Sequence, residues 1–270
     1  MSALSLVFGA IIGLSLGLTG GGGAIFAVPL LVYGLGVPAR EAVAVSLAAV
    51  GATSLVGFLH RWKLGEVELR TGLLFAAAGM LGAPIGTWLA GLIPDTALLL
   101  AFAGLMIVVA VRLWQQAARP ATVNVCGEPG SQPPACHRDA SGTLHLTWRC
   151  SLVLMLVGLA TGVLSGLFGV GGGFVIVPAL VLFAGMEIHR AVGTSLMIIA
   201  LVSVSGIASQ VWDGRDVPWQ ITGLFIAGGV AGLFGGQRIG RWLSGPALQR
   251  VFVVAILAVA LFVVVRSFHS

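Results

Sequence analysis

Charged side chains are scarce in this sequence, and their scarcity excludes a water-soluble domain. Only 9% of the residues are charged, against about 25% in soluble domains, and the mean hydropathy is +1.06. So few charges cannot cover a surface in water. The sequence therefore predicts an integral membrane protein. Apolar stretches able to cross a core of about 30 Å lie near 2–18, 41–59, 70–93, 97–111, 151–168, 191–211, 219–237 and 247–265.

Basic residues are missing from the start of the chain, where none precedes Arg40. A secretory signal peptide needs a basic n-region, so residues 2–18 are expected to belong to the mature fold. The net charge of +5 could suggest nucleic acid as a partner. However, the basic residues are scattered at predicted helix ends without a basic face interleaved with aromatics, which excludes that partner.

Cysteines are also few, and their odd number of three predicts no disulfide framework. Cys126, Cys136, His137 and His145 could ligate zinc, but the paired CxxC spacing of zinc sites is absent. We therefore expect neither a metal nor a cofactor. No nucleophile–base arrangement stands out, and so we expect the protein not to be an enzyme.

The chain is an internal duplication. Residues 17–32 read GLTGGGGAIFAVPLLV and residues 166–181 read GLFGVGGGFVIVPALV, an offset of 149. Across 17–47 and 166–196, 14 of 31 positions are identical without a gap. Such a repeat divides the chain into a first membrane repeat at 1–116, a linker loop rich in proline at 117–150 and a second membrane repeat at 151–270.

The distribution of Lys and Arg predicts that the two repeats are inverted. If each glycine-rich opening forms a hairpin, 11 basic residues lie on one side of the membrane and 3 on the other; a single broken crossing gives 9 against 5. The excess marks the cytoplasmic side and favours the hairpin. The predicted fold is an all-α polytopic membrane protein with two inverted-topology repeats, each a glycine-broken helical hairpin plus three transmembrane helices. Both termini would then be periplasmic and the linker cytoplasmic.

The two glycine clusters are the expected substrate site. Each glycine disfavours a helix by about 1 kcal/mol relative to alanine, and broken backbone is tolerated in the membrane only inside protein or beside a cavity. A broken helix exposes N–H groups that suit an anion. The alternative is that the glycines only permit tight packing. The candidate binding residues are Thr19, Gly20, Gly21, Gly22, Gly23, Ser46, Gly169, Gly171, Gly172, Gly173, Thr194 and Ser195.

The hydroxyls in this set could donate to an oxyanion without supplying a fixed charge; Ser15 and Ser165 also flank the breaks. Hydrogen bonding between helices is the alternative role for each of them. Candidate gating or coupling residues are Glu41, His189 and Arg190, since Glu41 and Arg190 occupy equivalent repeat positions, as do Arg40 and His189. His189 could couple transport to protons. The alternative for these residues is anchoring of helix ends at the membrane interface.

The segments GLTGGGGAIFAVPLL, EAVAVSL, GLFGVGGGFVIVPAL and HRAVGTSL resemble the sulfite exporter TauE/SafE family. The resemblance covers both repeats and leaves out only the linker. It implies a permease of the bacterial inner membrane for sulfite, sulfoacetate or a related organosulfonate. It also implies roles for the matching glycines and for Pro29, Pro178, Ser46, Thr194 and Ser195. The first repeat departs from the pattern, because Val45 stands where the second has Thr194.

These observations predict alternating-access transport of a small anion between the two hairpins, with the lipid bilayer around the protein. Protons as coupling ion and a homodimer are open alternatives. A permease for another small anion, such as a carboxylate, is the nearest competing function. A membrane component that transports nothing is the competing class.

Overall fold

The protein is helical throughout nearly all of the chain that the structure, a computed structural model, describes: residues 2–118, 137–138, 144–145, 148–212 and 218–240. Apart from the short segments at the two breaks, the helices of the first repeat are α1 (Ser2–Thr19), α3 (Ala39–Lys63), α4 (Leu69–Leu92) and α5 (Asp95–Ala118). Those of the second are α6 (Trp148–Phe168), α7 (Gly173–Ala184), α8 (Ile188–Trp212) and α9 (Trp219–Gly240).

The predicted apolar stretches coincide with helices, except that 247–265 lies outside the described residues. Within the described part, five helices are long and apolar enough to cross a membrane: Ala39–Lys63, Leu69–Leu92, Cys150–Phe168, Ile188–Trp212 and Trp219–Ile239. The most apolar windows of α3 and α8 are 72% buried, against 39% for α6 and α9. Helices α3 and α8 therefore form the centre of the protein.

The first predicted helix break is present and begins at the first residue of its glycine cluster, directly after Thr19. After α1 the chain forms a 3-10 helix at Gly22–Phe26, the short α2 at Ala27–Pro29 and a π-helix at Leu30–Gly34. Pro29 lacks the N–H that would continue the α-helical hydrogen bonds, and the π-helix starts at the next residue. A Cβ at Gly34 would touch the ring of Phe8 in α1, so this segment turns back along α1.

The second break has the same position in its repeat but a more regular continuation. Helix α6 ends at Phe168, and α7 runs for 12 residues from Gly173 to Ala184. Pro178 lies inside α7 rather than at its end. Its missing N–H removes one hydrogen bond without ending the helix.

The two repeats are interlocked rather than placed side by side. Helix α1 packs on α9, and α6 packs on α4. These are equivalent pairings, because α6 corresponds to α1 and α9 to α4. A Cβ at Gly13 would fall within 3.0 Å of the Gly229 backbone, and one at Gly162 would do the same to Gly79. Glycine thus lets the helix backbones touch, as membrane helix pairs require.

The equivalent helices α3 and α8 cross in opposite directions at the centre. Three contacts establish this: Gly51 lies against Ser203, while Leu47, earlier in α3, touches Gly206. Gly57, later in α3, meets Leu196, earlier in α8. As residue numbers increase along α3, the numbers of the residues contacted in α8 decrease, so the two helices run antiparallel.

The described part of the linker departs from the expected plain loop. Strands β1 (His137–Arg138) and β2 (Leu144–His145) form a two-residue antiparallel ladder with His137 opposite His145. Cys150 is buried and disulfide-bonded. The sequence predicted no disulfide framework, and three cysteines leave room for this one pair at most. The other cysteines, Cys126 and Cys136, lie outside the described residues.

Candidate functional site at the two helix breaks

Both breaks start with a glycine in the left-handed region of backbone space. Gly20 has φ 75° and Gly169, its repeat equivalent, has φ 68°. In each case the glycine N–H still donates to the carbonyl four residues earlier, at 2.8 Å from Leu16 and Ser165 respectively. A side chain disfavours this conformation, so the helix ends where the glycine cluster begins.

The two breaks meet each other in the protein interior. A Cβ on Gly173 would lie within 3.0 Å of the Gly21 Cα, and one on Gly21 would be equally close to Gly173. Gly171 lies against both Val50 of α3 and Ile199 of α8, which are repeat equivalents. The glycine backbones are thus brought together at the α3–α8 crossing, where no side chain separates them.

Two predicted site serines hold the breaks by a reciprocal pair of hydrogen bonds. Ser46 Oγ donates to the Gly169 carbonyl at 2.6 Å, and Ser195 Oγ donates to the Gly20 carbonyl at 2.6 Å. Both serines have no exposed surface. Each repeat therefore fixes the broken backbone of the other repeat, a contact that an isolated repeat could not make.

The remaining predicted hydroxyls also have protein partners. Thr194 Oγ1 accepts from the Glu68 N–H at 3.0 Å, and Thr19 Oγ1 donates to the Ser15 carbonyl at 2.7 Å. The Thr194 bond joins segments of different repeats, as the structural alternative expects, whereas the Thr19 bond lies within α1. A substrate role for them, which stays a prediction, would require an exchange of partners during transport.

The start of α7 has the backbone chemistry expected of an anion site. Gly172 caps this helix in the left-handed conformation, with φ 67°, and makes no side-chain cap hydrogen bond. Its carbonyl accepts from the N–H groups of Val175 and Ile176, at 3.0 and 3.1 Å. The first turn of α7 contains no acidic residue, so no carboxylate there neutralises the positive end of the helix dipole.

The predicted gating residues lie at helix starts, with Glu41 in the first turn of α3 and His189 and Arg190 in that of α8. All three are exposed.

Arg61, near the end of α3, was not among the predicted site residues but contacts the start of α8. Arg61 binds Glu66 through an ion pair of 2.7 Å and also donates to the His189 carbonyl at 3.5 Å.

The loop after α3 is anchored to the start of α8 by further contacts. A Cβ at Gly193 would fall within 3.0 Å of the Glu66 carbonyl, and the Glu68 N–H binds Thr194 next to Ser195. Ser195 in turn holds Gly20. The loop at one end of α3 is thereby connected to the first break through adjacent residues of α8. No sequence signal pointed to this connection, because it joins positions more than a hundred residues apart.

Several apolar helices long enough to cross a membrane, with backbone breaks buried where two of them cross, are typical of a multi-pass membrane transporter. The chain belongs to the sulfite exporter TauE/SafE family, whose family model matches residues 5–263. No solved structure matches the chain.

Curated relatives agree with this class. A "Probable membrane transporter protein" of Xylella fastidiosa is 36% identical over 267 residues, covering 97% of this chain and 94% of the relative. YdhB of Bacillus subtilis, named a probable membrane transporter protein, is 27% identical over 243 residues, covering 88% and 90%. The similarity therefore extends over nearly the full length of both chains.

Proposed function

We propose that this transporter moves a small sulfur-containing anion, such as sulfite, sulfoacetate or a related organosulfonate, and binds it where the two glycine breaks meet. The observation that carries the proposal is the contact between Gly21 and Gly173 at the buried α3–α8 crossing. The family description supports the sulfur chemistry, since it names sulfite export.

The chemistry of the breaks supports an anionic substrate. Backbone N–H groups and the positive end of α7 attract negative charge, and bare glycine lets the anion approach the backbone closely. Binding by neutral donors avoids burying a fixed positive charge in the membrane, which is costly. It also leaves the anion free to dissociate on the far side.

The packing of α3 on α8 supports inverted repeats. Repeats of the same orientation would make these two equivalent helices parallel, whereas their contacts run antiparallel. The return of residues 22–34 along α1 supports the hairpin from which the inversion was predicted. The repeats at 1–116 and 151–270, joined by the linker at 117–150, are therefore proposed to have opposite orientations.

Alternating access follows from this arrangement. The contact between Gly21 and Gly173 closes the path at the centre, and rocking of one repeat against the other would separate them. We assign gating to Glu41, His189 and Arg190, supported by the contacts of Arg61 with Glu66 and with His189. Proton coupling through His189 is part of the proposal.

We place the protein in the bacterial inner membrane with periplasmic termini and a cytoplasmic linker. The count of 11 basic residues against 3 supports this orientation. The Cys150 disulfide opposes it, because disulfides persist mainly in oxidising compartments. Accessibility of a tag at each terminus decides between them: tags found in the cytoplasm would reverse the orientation.

Tracer flux into proteoliposomes tests the function. Sulfite, sulfoacetate, taurine, thiosulfate and acetate are compared one at a time, with protein-free liposomes as the control. Saturable flux of at least one sulfur anion, well above that of acetate, is expected. Saturable flux of acetate alone would assign a carboxylate permease instead, and flux of none of the five would overturn the proposal.

A further inference from the structure

One buried hydroxyl beside the second break has no partner. Ser165 has no exposed surface, and its Oγ makes no hydrogen bond within the part of the chain that the structure describes. Buried polar groups are nearly always hydrogen-bonded, so a lone hydroxyl needs an explanation. The absence of a partner is notable here because the neighbouring Thr161 hydroxyl donates to carbonyls of its own helix at 2.9 Å.

The position of Ser165 directs it towards the break. Thr161 lies one turn earlier on the same face of α6, because residues four apart share a helix face. That face meets the second break: a Cβ at Gly172 would be 3.1 Å from the Thr161 carbonyl and 3.6 Å from its Cβ. The neighbouring face of α6, through Gly162 and Gly166, packs on α4.

The repeat comparison shows that this hydroxyl belongs to one break alone. The position equivalent to Ser165 in the first repeat is Leu16, which is also fully buried. Ser46, Ser195, Thr194 and Thr19 all have protein partners, as described above. Among the buried hydroxyls that flank the breaks in the described residues, Ser165 is therefore the one that is free to bind something else.

We propose that Ser165 donates a hydrogen bond to an oxygen of the transported oxyanion at the second break. The inference rests on the proposed function, since it names one donor of the same site. A tetrahedral or pyramidal sulfur oxyanion presents several acceptor oxygens, so it can accept from the backbone N–H groups of α7 and from Ser165 together. An anion that lies on the dipole of α7 is thereby bound asymmetrically, nearer to the second break than to the first.

The test compares Ser165→Ala with Ser165→Thr in the sulfite flux assay. Loss of a hydrogen bond to a charged ligand is expected to raise the KM of Ser165→Ala about 10- to 100-fold, while Ser165→Thr keeps the donor and stays near the wild type. Ser54→Ala is the matched control, because Ser54 is also fully buried and unpartnered but lies in α3, a helix that does not end at either break. Its KM should not change.

The outcomes separate this inference from the proposed function. An unchanged KM in folded Ser165→Ala, as expected if only a buried water occupies the site, would overturn the role of Ser165. An equal rise of KM in Ser54→Ala would overturn it too, because the effect would then be general. If the wild-type protein moves no sulfur anion, the proposed function itself fails. If Ser165→Thr folds poorly, sulfite binding measured by calorimetry on purified wild type, Ser165→Ala and Ser54→Ala still tests the role of Ser165.

Discussion

The first and second glycine breaks share their backbone design but differ in what surrounds it. Gly20 and Gly169 end their helices in the same conformation, and each is held by a serine of the other repeat. Beyond the glycines, the first break continues as a 3-10, α and π sequence, whereas the second continues as regular α7. The first has buried Leu16 where the second has Ser165.

This difference shows which properties the duplication keeps. The contacts that bring the breaks together depend on both copies, so they are preserved in each. If a single substrate binds between the breaks, as we propose, the polar chemistry next to them need be supplied only once. Five substitutions in four tests, from the largest expected effect to the smallest, break or sharpen this comparison.

Separating the breaks should have the largest effect. Gly173→Ala places a Cβ within 3.0 Å of the Gly21 backbone. Rotating a side chain cannot relieve this clash, because the atoms of Gly21 are backbone atoms. We expect sulfite flux to fall to the level of empty liposomes. Gly223→Ala is the control, because Gly223 is exposed and has no atom within 4 Å of its added Cβ. Full flux in Gly173→Ala would mean that the contact is not part of the transport site.

Removing one of the reciprocal serines should have a moderate effect of similar size at both breaks. Ser46→Ala and Ser195→Ala each leave a buried glycine carbonyl without its donor, at a cost of about 1–3 kcal/mol in the free energy of unfolding. Unfolding of the purified protein in detergent measures it. Ser54→Ala, which removes an unpartnered hydroxyl, should cost much less. A cost confined to one of the two serines would contradict their equivalence.

Making the second repeat resemble the first at one hydroxyl should have a smaller effect. Thr194→Val introduces the residue that the first repeat has at Val45 and removes the acceptor of the Glu68 N–H. We expect a loss of about 1 kcal/mol in the free energy of unfolding and a modest fall in flux, because the loop after α3 loses one anchor. If flux and stability both match the wild type, the loop does not depend on this bond.

The smallest effect is expected at Thr19, whose hydroxyl donates within its own helix. Thr19→Val keeps the shape and removes one bond to the Ser15 carbonyl, which is only partly buried. The free energy of unfolding should change by less than about 0.5 kcal/mol, as for most positions without a specialised role. A strong loss of sulfite flux at normal stability would instead show that Thr19 binds substrate in another state of the transport cycle.

The positions of the breaks could be predicted because they depend on local backbone preference. Clustered glycines and a repeat offset of 149 mark Gly20 and Gly169 in the sequence. The end of the short helix could not be predicted equally well: Pro29 precedes a π-helix while Pro178 lies inside α7. A proline removes one donor in either case, and the surrounding packing decides how the backbone responds.

The partners of the serines could not be predicted, because their partners are far away in the chain. Ser46 and Gly169 are separated by 123 positions, and Ser195 and Gly20 by 175. A hydroxyl in an apolar helix can donate to its own helix, to another helix or to a ligand, and the sequence is the same in each case. The free Ser165 is distinguished from the bonded Thr161 only by geometry.

By itself the sequence determined the membrane location, the duplication and the sites of the two breaks, because composition and glycine propensity act locally. The tertiary structure alone decided that α3 and α8 cross at the centre, that Gly21 meets Gly173, and that each repeat holds the other's break. Those contacts arise from the packing of helices distant in the chain, and they exist only when both copies fold together.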